Sequence, residues 1–486
     1  MDRHLTAARP LPAHPAPIPH TPYTPYTPYT PYTPQRNGAP MSRPSAPPPA
    51  RTPFARVVAA SLVGTTVEWY DFFLYGSAAA LVFNAVFFPE SDPLTGTLLA
   101  FTTYAVGFVA RPLGGLVFGH YGDRVGRKRL LVLSLLLMGG ATFAIGLLPT
   151  HAAIGAAAPL LLTLLRVVQG FALGGEWGGA VLLVSEHGSP AHRGFWASWP
   201  QAGAPGGNLL ATAVLAVLAA TMSDAAFLAW GWRIPFLLSG VLVLIGLWVR
   251  LAVSESAVFQ EAAARSAGSG LAERAPVLGV VRHHWREVLV AMGVRMAENI
   301  SYYIVTAFIL VYATQQAGLS DGQVLNAVLI ASAVHLVTIP AWGALSDVVG
   351  RRPVVALGAV GVSLWMFAFF PLIDRGTFGA VVLAATVGLV LHGALYGPQA
   401  AFFSELFGTR VRYSGASIGY QLASIAAGGL APLIATALLA AYGSGLPVAV
   451  YVAGSGVLTL VAVLASRETR GRDLRAVPTA SRSATG

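Results

Sequence analysis

Seven ionisable residues interrupt long apolar runs: Glu68, Asp71, Arg111, Arg166, Glu176, Arg295 and Glu298. At the centre of a membrane span each costs about 2.5–3.5 kcal/mol on the insertion scale, so a chain does not keep it facing lipid. Four acids and three bases therefore predict one polar cavity lined by them all, with salt-bridged struts between helices as the competing reading. Glu68 and Asp71 lie three residues apart in "VEWYDFFLYG", on one face of a helix. There, desolvation and mutual repulsion favour a proton on at least one of them. Asp71 is the first candidate for proton carrier because it is nearer the midplane. Arg166 can compete for the freed carboxylate, and an arginine can also hold a substrate carboxylate through two parallel N–H donors. Arg111 is seven residues from the end of its run; it can snorkel, and ranks lower.

These residues need elements to position them. The chain of 486 residues is 55% hydrophobic and 10% charged, with mean hydropathy +0.64. Soluble domains carry about 25% charged residues, so the composition predicts a polytopic membrane protein. Twelve apolar runs, each long enough to span a bilayer as a helix, lie near 57–83, 94–118, 130–149, 159–184, 195–220, 230–252, 287–313, 323–345, 353–372, 378–403, 415–441 and 446–466. Of the 30 basic residues, 25 fall in one alternate set of loops and tails and two in the other. That asymmetry predicts a cytoplasmic location for both termini. The charge of +10 is thereby read as an orientation signal rather than a nucleic-acid surface. With no cysteine, disulfides, thiolate metal sites and cysteine nucleophiles are excluded. Lys128 is the only lysine and no Gly-Lys pair occurs, so there is no Walker A loop. HExxH is absent as well, and nothing supports an enzyme.

The chain repeats itself. "GHYGDRVGRKRLL" at 119–131 returns as "GALSDVVGRRPVV" at 343–355, and "SEHGSPAHRGFWAS" at 185–198 as "SELFGTRVRYSGAS" at 404–417. The nearly equal offsets predict two six-helix halves with the substrate site between them at the midplane. Spans one and seven also echo each other, "EWYDFF" against "ENISYY". The echo makes Tyr70, Tyr302 and Tyr303 candidate cavity residues, with plain helix packing as the alternative. His335 and His392 read as hydrogen-bonded packing residues. Asp123, Arg124, Arg127, Lys128, Glu186, Arg193, Asp347, Arg351, Glu405 and Arg412 fall on the basic side. There Asp123 and Asp347 can cap helix N-termini across the halves and pair with arginines as a gate. Gly-rich "GGEWGG" and "GAPGG" let helices approach closely.

The boundaries follow as a Pro-rich tail at 1–50 (with Met41 an alternative start), a half at 56–252, a linker at 253–286, a half at 287–466 and a tail at 467–486. The tail's "TPYTPYTPYTPYTP" favours extended polyproline II and builds no core.

"GHYGDRVGRKR" resembles the signature loop of the major facilitator superfamily. "VEWYDFFLYG", "RPLGGLVFGHYGDRVGRKR", "RVVQGFALGGEWGGA", "WGWRIPFLLSG" and "ELFGTRVRYSGAS" together resemble its metabolite–proton symporters, over about 56–466. The resemblance implies an all-α membrane protein of twelve helices that imports a small polar metabolite with protons by alternating access. An organic acid of the shikimate or dicarboxylate class is the expected substrate; betaine or proline uptake, or efflux antiport, are the alternatives. It implies no cofactor beyond the coupling proton, no metal, membrane lipid and a small-molecule substrate as partners, and a monomer in the inner membrane. The departures are the long N-terminal tail and Val348, which stands where the second signature loop carries a basic residue.

Overall fold

The computed structural model describes residues 54–125, 127–174, 184–185, 189–252, 282, 284–407 and 412–472; the side chains at 119–131, 249–252 and 412–414 are not described. Long apolar helices dominate, and no strand occurs among the described residues. They are α1 Phe54–Leu81, α2 Pro93–Val125, α3 Arg127–Leu147, α4 Ala157–Leu173, α5 Arg193–Thr221 and α6 Arg233–Ala252 in the first half. The second half holds α7 Trp285–Gln315, α8 Asp321–Val349, α9 Arg351–Ile373, α10 Phe378–Leu406, α11 Gly415–Tyr442 and α12 Leu446–Ala465. Large apolar side chains such as Leu160, Leu244, Trp248, Val337, Leu364 and Leu464 are exposed on their outer faces. A water-soluble protein does not leave so much apolar surface bare; this one turns it to lipid.

Packing follows the repeat. α1 packs on α5 as α7 does on α11, α2 on α4 as α8 on α10, and α3 on α6 as α9 on α12. The halves meet where α5 lies against α8 and α2 against α11, two contacts that exchange when six helices are added to each number. Glycine makes the closest approaches possible. A Cβ on Gly170 of α4 would strike the Gly107 carbonyl of α2, and one on Gly207 of α5 would come within 2.5 Å of the Tyr70 nitrogen of α1.

The sequence placed a loop at 119–129, but α2 stays helical to Val125 and α3 starts at Arg127. Hydropathy reports where lipid ends; helical hydrogen bonding continues beyond it. The tail at 1–50, nearly all of the linker at 253–286 and the stretch from 473 onward lie outside the described residues.

Candidate functional site

Every residue from Val67 to Ala79 of α1 and from Ala297 to Ala313 of α7 is buried. Between these helices the echoing positions meet. The Phe73 and Tyr302 rings are 5.2 Å apart and Phe72 and Tyr303 5.9 Å. Tyr303 also stands edge-on to Tyr104 and Phe108 of α2, at 6.0 and 5.8 Å. This aromatic wall divides the polar interior. The residue types predicted one cavity; among the described residues the wall separates two small ones, each with room for about one water molecule.

The first cavity belongs to the N-terminal half and is lined by Asp71, Phe72, Gly107, Arg166 and Gln169, among others. Asp71 is 1% exposed and neither carboxylate oxygen has a hydrogen-bond partner. Arg166 and Thr142 face it, but the Thr142 hydroxyl donates to the Met138 carbonyl and accepts from Gln169. Arg166 donates one Nη1 bond to Gln169 at 3.0 Å, while its Nε and Nη2 have no acceptor. Its guanidinium instead lies over Phe72, Tyr75 and Tyr104, with ring centroids 4.7, 4.3 and 4.6 Å away. Cation–π attraction holds the charge without neutralising it. Gly107 leaves the space beneath: a Cβ there would come within 2.7 Å of the arginine Nε. Arg111, ranked low for snorkelling, is 1% exposed and sits over Phe72 and Phe108 at 4.4 and 4.1 Å. It does not snorkel, because its guanidinium is turned inward and held against these two rings.

The second cavity is lined by Trp69, Phe73, Arg295, Glu298, Tyr302 and His392, among others. Arg295 and Glu298, one turn apart on α7, form a buried ion pair at 2.8 Å. Arg295 also donates to Gln399 at 3.0 Å and to Ser424 at 3.1 Å, and lies over the Tyr420 ring. The other Glu298 oxygen lies 3.4 Å from His392 Nε2, and His392 Nδ1 lies 2.9 Å from His335 Nε2. Both histidines, read from sequence as packing residues, thus join the acid–base cluster. Nothing in the local sequence of α8 or α10 marked them, since their partners come from other helices. Gln399, Gln169 and Thr142 were missed for the same reason. Two π-helical turns, Ile304–Phe308 and Ser424–Gly429, also lie beside the cluster.

The other expected residues fall as follows. Glu68 is buried on the side toward Tyr420 of α11, so it does not share the Asp71 cavity despite the three-residue spacing. Tyr70 donates its hydroxyl to the Pro235 carbonyl of α6 at 2.7 Å, which ties it to packing. Glu176 and Glu186 lie outside the described residues, as do the side chains of Asp123, Arg124, Arg127, Lys128 and Arg412.

On the basic side the halves are latched. Asp347, at the end of α8, accepts the backbone N–H groups of Gly194 and Phe195 at the start of α5, each at 2.8 Å. Arg351 pairs with the same carboxylate at 2.7 Å. Buried Glu405 receives Arg193 from the other half at 2.8 Å, Arg351 through two bonds of 3.2 Å, and Thr469 at 2.8 Å. Thr469 belongs to a strap after α12. In it, Glu468 accepts the backbone N–H groups of Arg351 and Arg352 at the start of α9, and those of Thr469 and Arg470. Partial burial works to raise the Glu468 pKa, but these four donors outweigh it and hold the carboxyl below its ordinary range. Among the described residues no group of three or more His, Asp or Glu could hold a metal ion.

Comparison with known proteins adds to this geometry. Residues 61–428 match the Major Facilitator Superfamily. The chain is 42% identical to the inner membrane metabolite transport protein YhjE of Escherichia coli K12, over 86% of this chain and 95% of that one. It is also 42% identical to the shikimate transporter of the same organism (85% and 95% covered) and 32% identical to its proline/betaine transporter (88% and 86%). Among solved structures it resembles the D-xylose–proton symporter, with TM-score 0.67 and 18% identity, over 87% of this chain and all of that one.

Proposed function

The chain belongs to the Major Facilitator Superfamily, and from that premise we propose that it imports a small organic acid together with protons by alternating access. It is a multi-pass membrane transporter of metabolites, not an enzyme. The observation that carries the proton reading is Asp71: a buried carboxyl with no hydrogen-bond donor, facing a guanidinium that no acceptor saturates. A bare carboxylate in such a place lacks the solvation that a charge requires. Two states resolve this: Asp71 carries a proton and Arg166 rests on its aromatic cage, or Asp71 is ionised and Arg166 swings to it. Loading and release of one proton at Asp71 thereby moves a buried charge against α1, the helix that faces the other half.

For the substrate, buried guanidinium groups with unsatisfied N–H donors at Arg111 and Arg166 favour a carboxylate. The relationship to the shikimate transporter supports the same class. A second reading has its own observation. Trp69, Phe73, Tyr302, Tyr303 and Tyr396 around the second cavity could cage a quaternary ammonium, and a proline/betaine transporter is among the relatives. We place the basic side, with both termini, in the cytoplasm, and take the monomer as the transporting unit.

The test is uptake into proteoliposomes of the full chain with an acid exterior. Labelled shikimate, 2-oxoglutarate, proline and glycine betaine are offered in turn. Accumulation of a carboxylate, abolished by a protonophore, is expected. Asp71→Asn should lose accumulation yet keep exchange of labelled for unlabelled substrate at equal concentrations. Protonophore-sensitive accumulation by Asp71→Asn would move the proton to another residue. Accumulation of betaine alone would select the second reading.

A further inference from the structure

The cluster in the C-terminal half has a feature that the Asp71 reading does not use. Glu298, His392 and His335 form a line across α7, α10 and α8 that ends in an unpartnered atom. Glu298 Oε2 is saturated by Arg295 at 2.8 Å and Gln399 at 3.3 Å. Its Oε1 lies 3.4 Å from His392 Nε2, close enough for a charge contact but without the alignment of a hydrogen bond, which the relay needs a small ring rotation to make. His392 Nδ1 contacts His335 Nε2 at 2.9 Å, and His335 Nδ1, on a residue that is 0% exposed, has no partner.

The partners dictate the tautomers. With Glu298 ionised, His392 must carry its proton on Nε2 to face the carboxylate, so its Nδ1 is an acceptor. His335 must then donate from Nε2, which leaves a bare lone pair on its Nδ1. That lone pair is the open end of a directed chain.

We propose that this line is a proton relay that switches Arg295 between Glu298 and the carboxylate of a bound substrate. A proton adds to His335 Nδ1, and the Nε2 proton of His335 passes to His392 Nδ1. The Nε2 proton of His392 then passes to Glu298 Oε1. Each ring gains one N–H bond and loses one, and the net change is a single proton on Glu298. Both contacts survive with reversed direction: His392 Nδ1 now donates to His335 Nε2, and the Glu298 hydroxyl donates to His392 Nε2. His335 Nδ1 lacks a partner in both states, as a lone pair in one and as an N–H in the other, so moving the proton along the line adds no further orphan.

The consequence falls on Arg295. Its charge partner becomes neutral, while Gln399, Ser424 and the Tyr420 ring still hold the guanidinium in place. A preorganised cation without an anion, at the edge of the second cavity, is a carboxylate site. Among the described residues, the other ionisable groups around the line are these. The Tyr302 ring lies tilted against both histidines, at 5.7 and 4.8 Å, and Tyr396 lies 5.5 Å from His392. Tyr303 and Tyr420 stand beside Arg295, with Arg111 beyond them on α2 and Glu68 beyond Tyr420 on α1. None of these is a carboxylate in contact with Arg295, so neutralising Glu298 leaves it free for substrate.

The proposal rests on the reading of an organic acid carried with protons, and its primary test needs no substrate. Infrared difference spectra of the full chain in liposomes are recorded after a pH jump. Acidification should produce a carboxyl C=O band that is absent from Glu298→Gln and retained in Asp71→Asn. His335→Phe and His392→Asn should slow the rise of that band by about tenfold or more, as expected where a positioned proton donor is removed. No band assignable to Glu298 overturns the switch. A band that rises at the wild-type rate in both histidine variants overturns the relay, and two different substitutions guard against misfolding of either. A second arm measures shikimate binding: Glu298→Gln, with Arg295 permanently released, should bind at neutral pH as tightly as wild type does in acid. Binding by Glu298→Gln that keeps the wild-type pH dependence overturns the proposal. If the infrared results hold while no carboxylate is accumulated, the relay stands and the transport reading falls.

Discussion

Replacing Asp347 by Asn should unlatch the basic side. The carboxylate accepts two backbone N–H groups from α5 at 2.8 Å each and is only 7% exposed. Hydrogen bonds to a charged group contribute about 1.5–3 kcal/mol, and leaving a buried donor without an acceptor costs about 1–3 kcal/mol. Asparagine keeps one oxygen, so one bond survives in neutral form and one N–H faces an amide NH2. Arg351 pairs with Asp347 within the same half, so that pair stabilises open and closed states alike and drops out. The difference is about 2–4 kcal/mol against the closed state, roughly 30- to 1,000-fold in the ratio of closed to open. The chain has no cysteine, so Ala191→Cys with Val349→Cys introduces the only thiols, at exposed positions flanking the latch. Spin labels there should report one short distance in the parent and a dominant longer one when Asp347→Asn is added. An unchanged distance distribution would refute the latch.

Gly170→Ala drives a methyl into the Gly107 carbonyl and should destabilise the α2–α4 pair by about 1–3 kcal/mol, visible as earlier loss of the monodisperse peak on heating in detergent. Because Glu468 has a lowered pKa when docked, its stabilisation is present above the ordinary glutamate value and lost only as pH falls through the lower docked value. Proteolysis of the strap should therefore stay slow at neutral and mildly acidic pH, and become fast at all these pH values in Glu468→Gln. Tyr70→Phe deletes one buried hydrogen bond to Pro235, so it should cost about 1 kcal/mol of stability and leave the pH dependence of uptake unchanged.

The fold was legible because hydropathy, charge asymmetry and the internal repeat are one-dimensional signals. The interior was only half legible. The echo between "EWYDFF" and "ENISYY", a symmetry written in the chain, pointed to Tyr70, Tyr302 and Tyr303; the last two line the second cavity, whereas Tyr70 bonds the Pro235 carbonyl. Spacing misled for Glu68 and Asp71: three residues along a helix share a face only broadly, and that difference in angle sends them to different neighbours once packed helices surround them. His335 and His392 were passed over because a relay is made by helices 57 residues apart in sequence. The strap was invisible for another reason, since Glu468 acts through backbone N–H groups that carry no residue identity.

Charge counting joins the two clusters. Among the described residues the buried mid-span groups are three acids, Glu68, Asp71 and Glu298, and three bases, Arg111, Arg166 and Arg295. With all six ionised these described groups sum to zero. A carboxylate entering alone adds a negative charge in low dielectric, and a proton entering alone adds a positive one; both are costly, and together they cancel. Coupling is therefore enforced by solvation energy as well as by gates. If Asp71 and Glu298 each take one proton per cycle, a dicarboxylate loads a neutral core and a monocarboxylate leaves one positive charge. A potential of about 100 mV biases one net charge by about 2.3 kcal/mol, roughly fiftyfold in accumulation. Imposing it inside-negative on proteoliposomes should then raise shikimate accumulation by about that factor and leave 2-oxoglutarate unchanged. If one site alone loads in each cycle, the pattern inverts: shikimate becomes indifferent to the potential and the dicarboxylate is opposed by it.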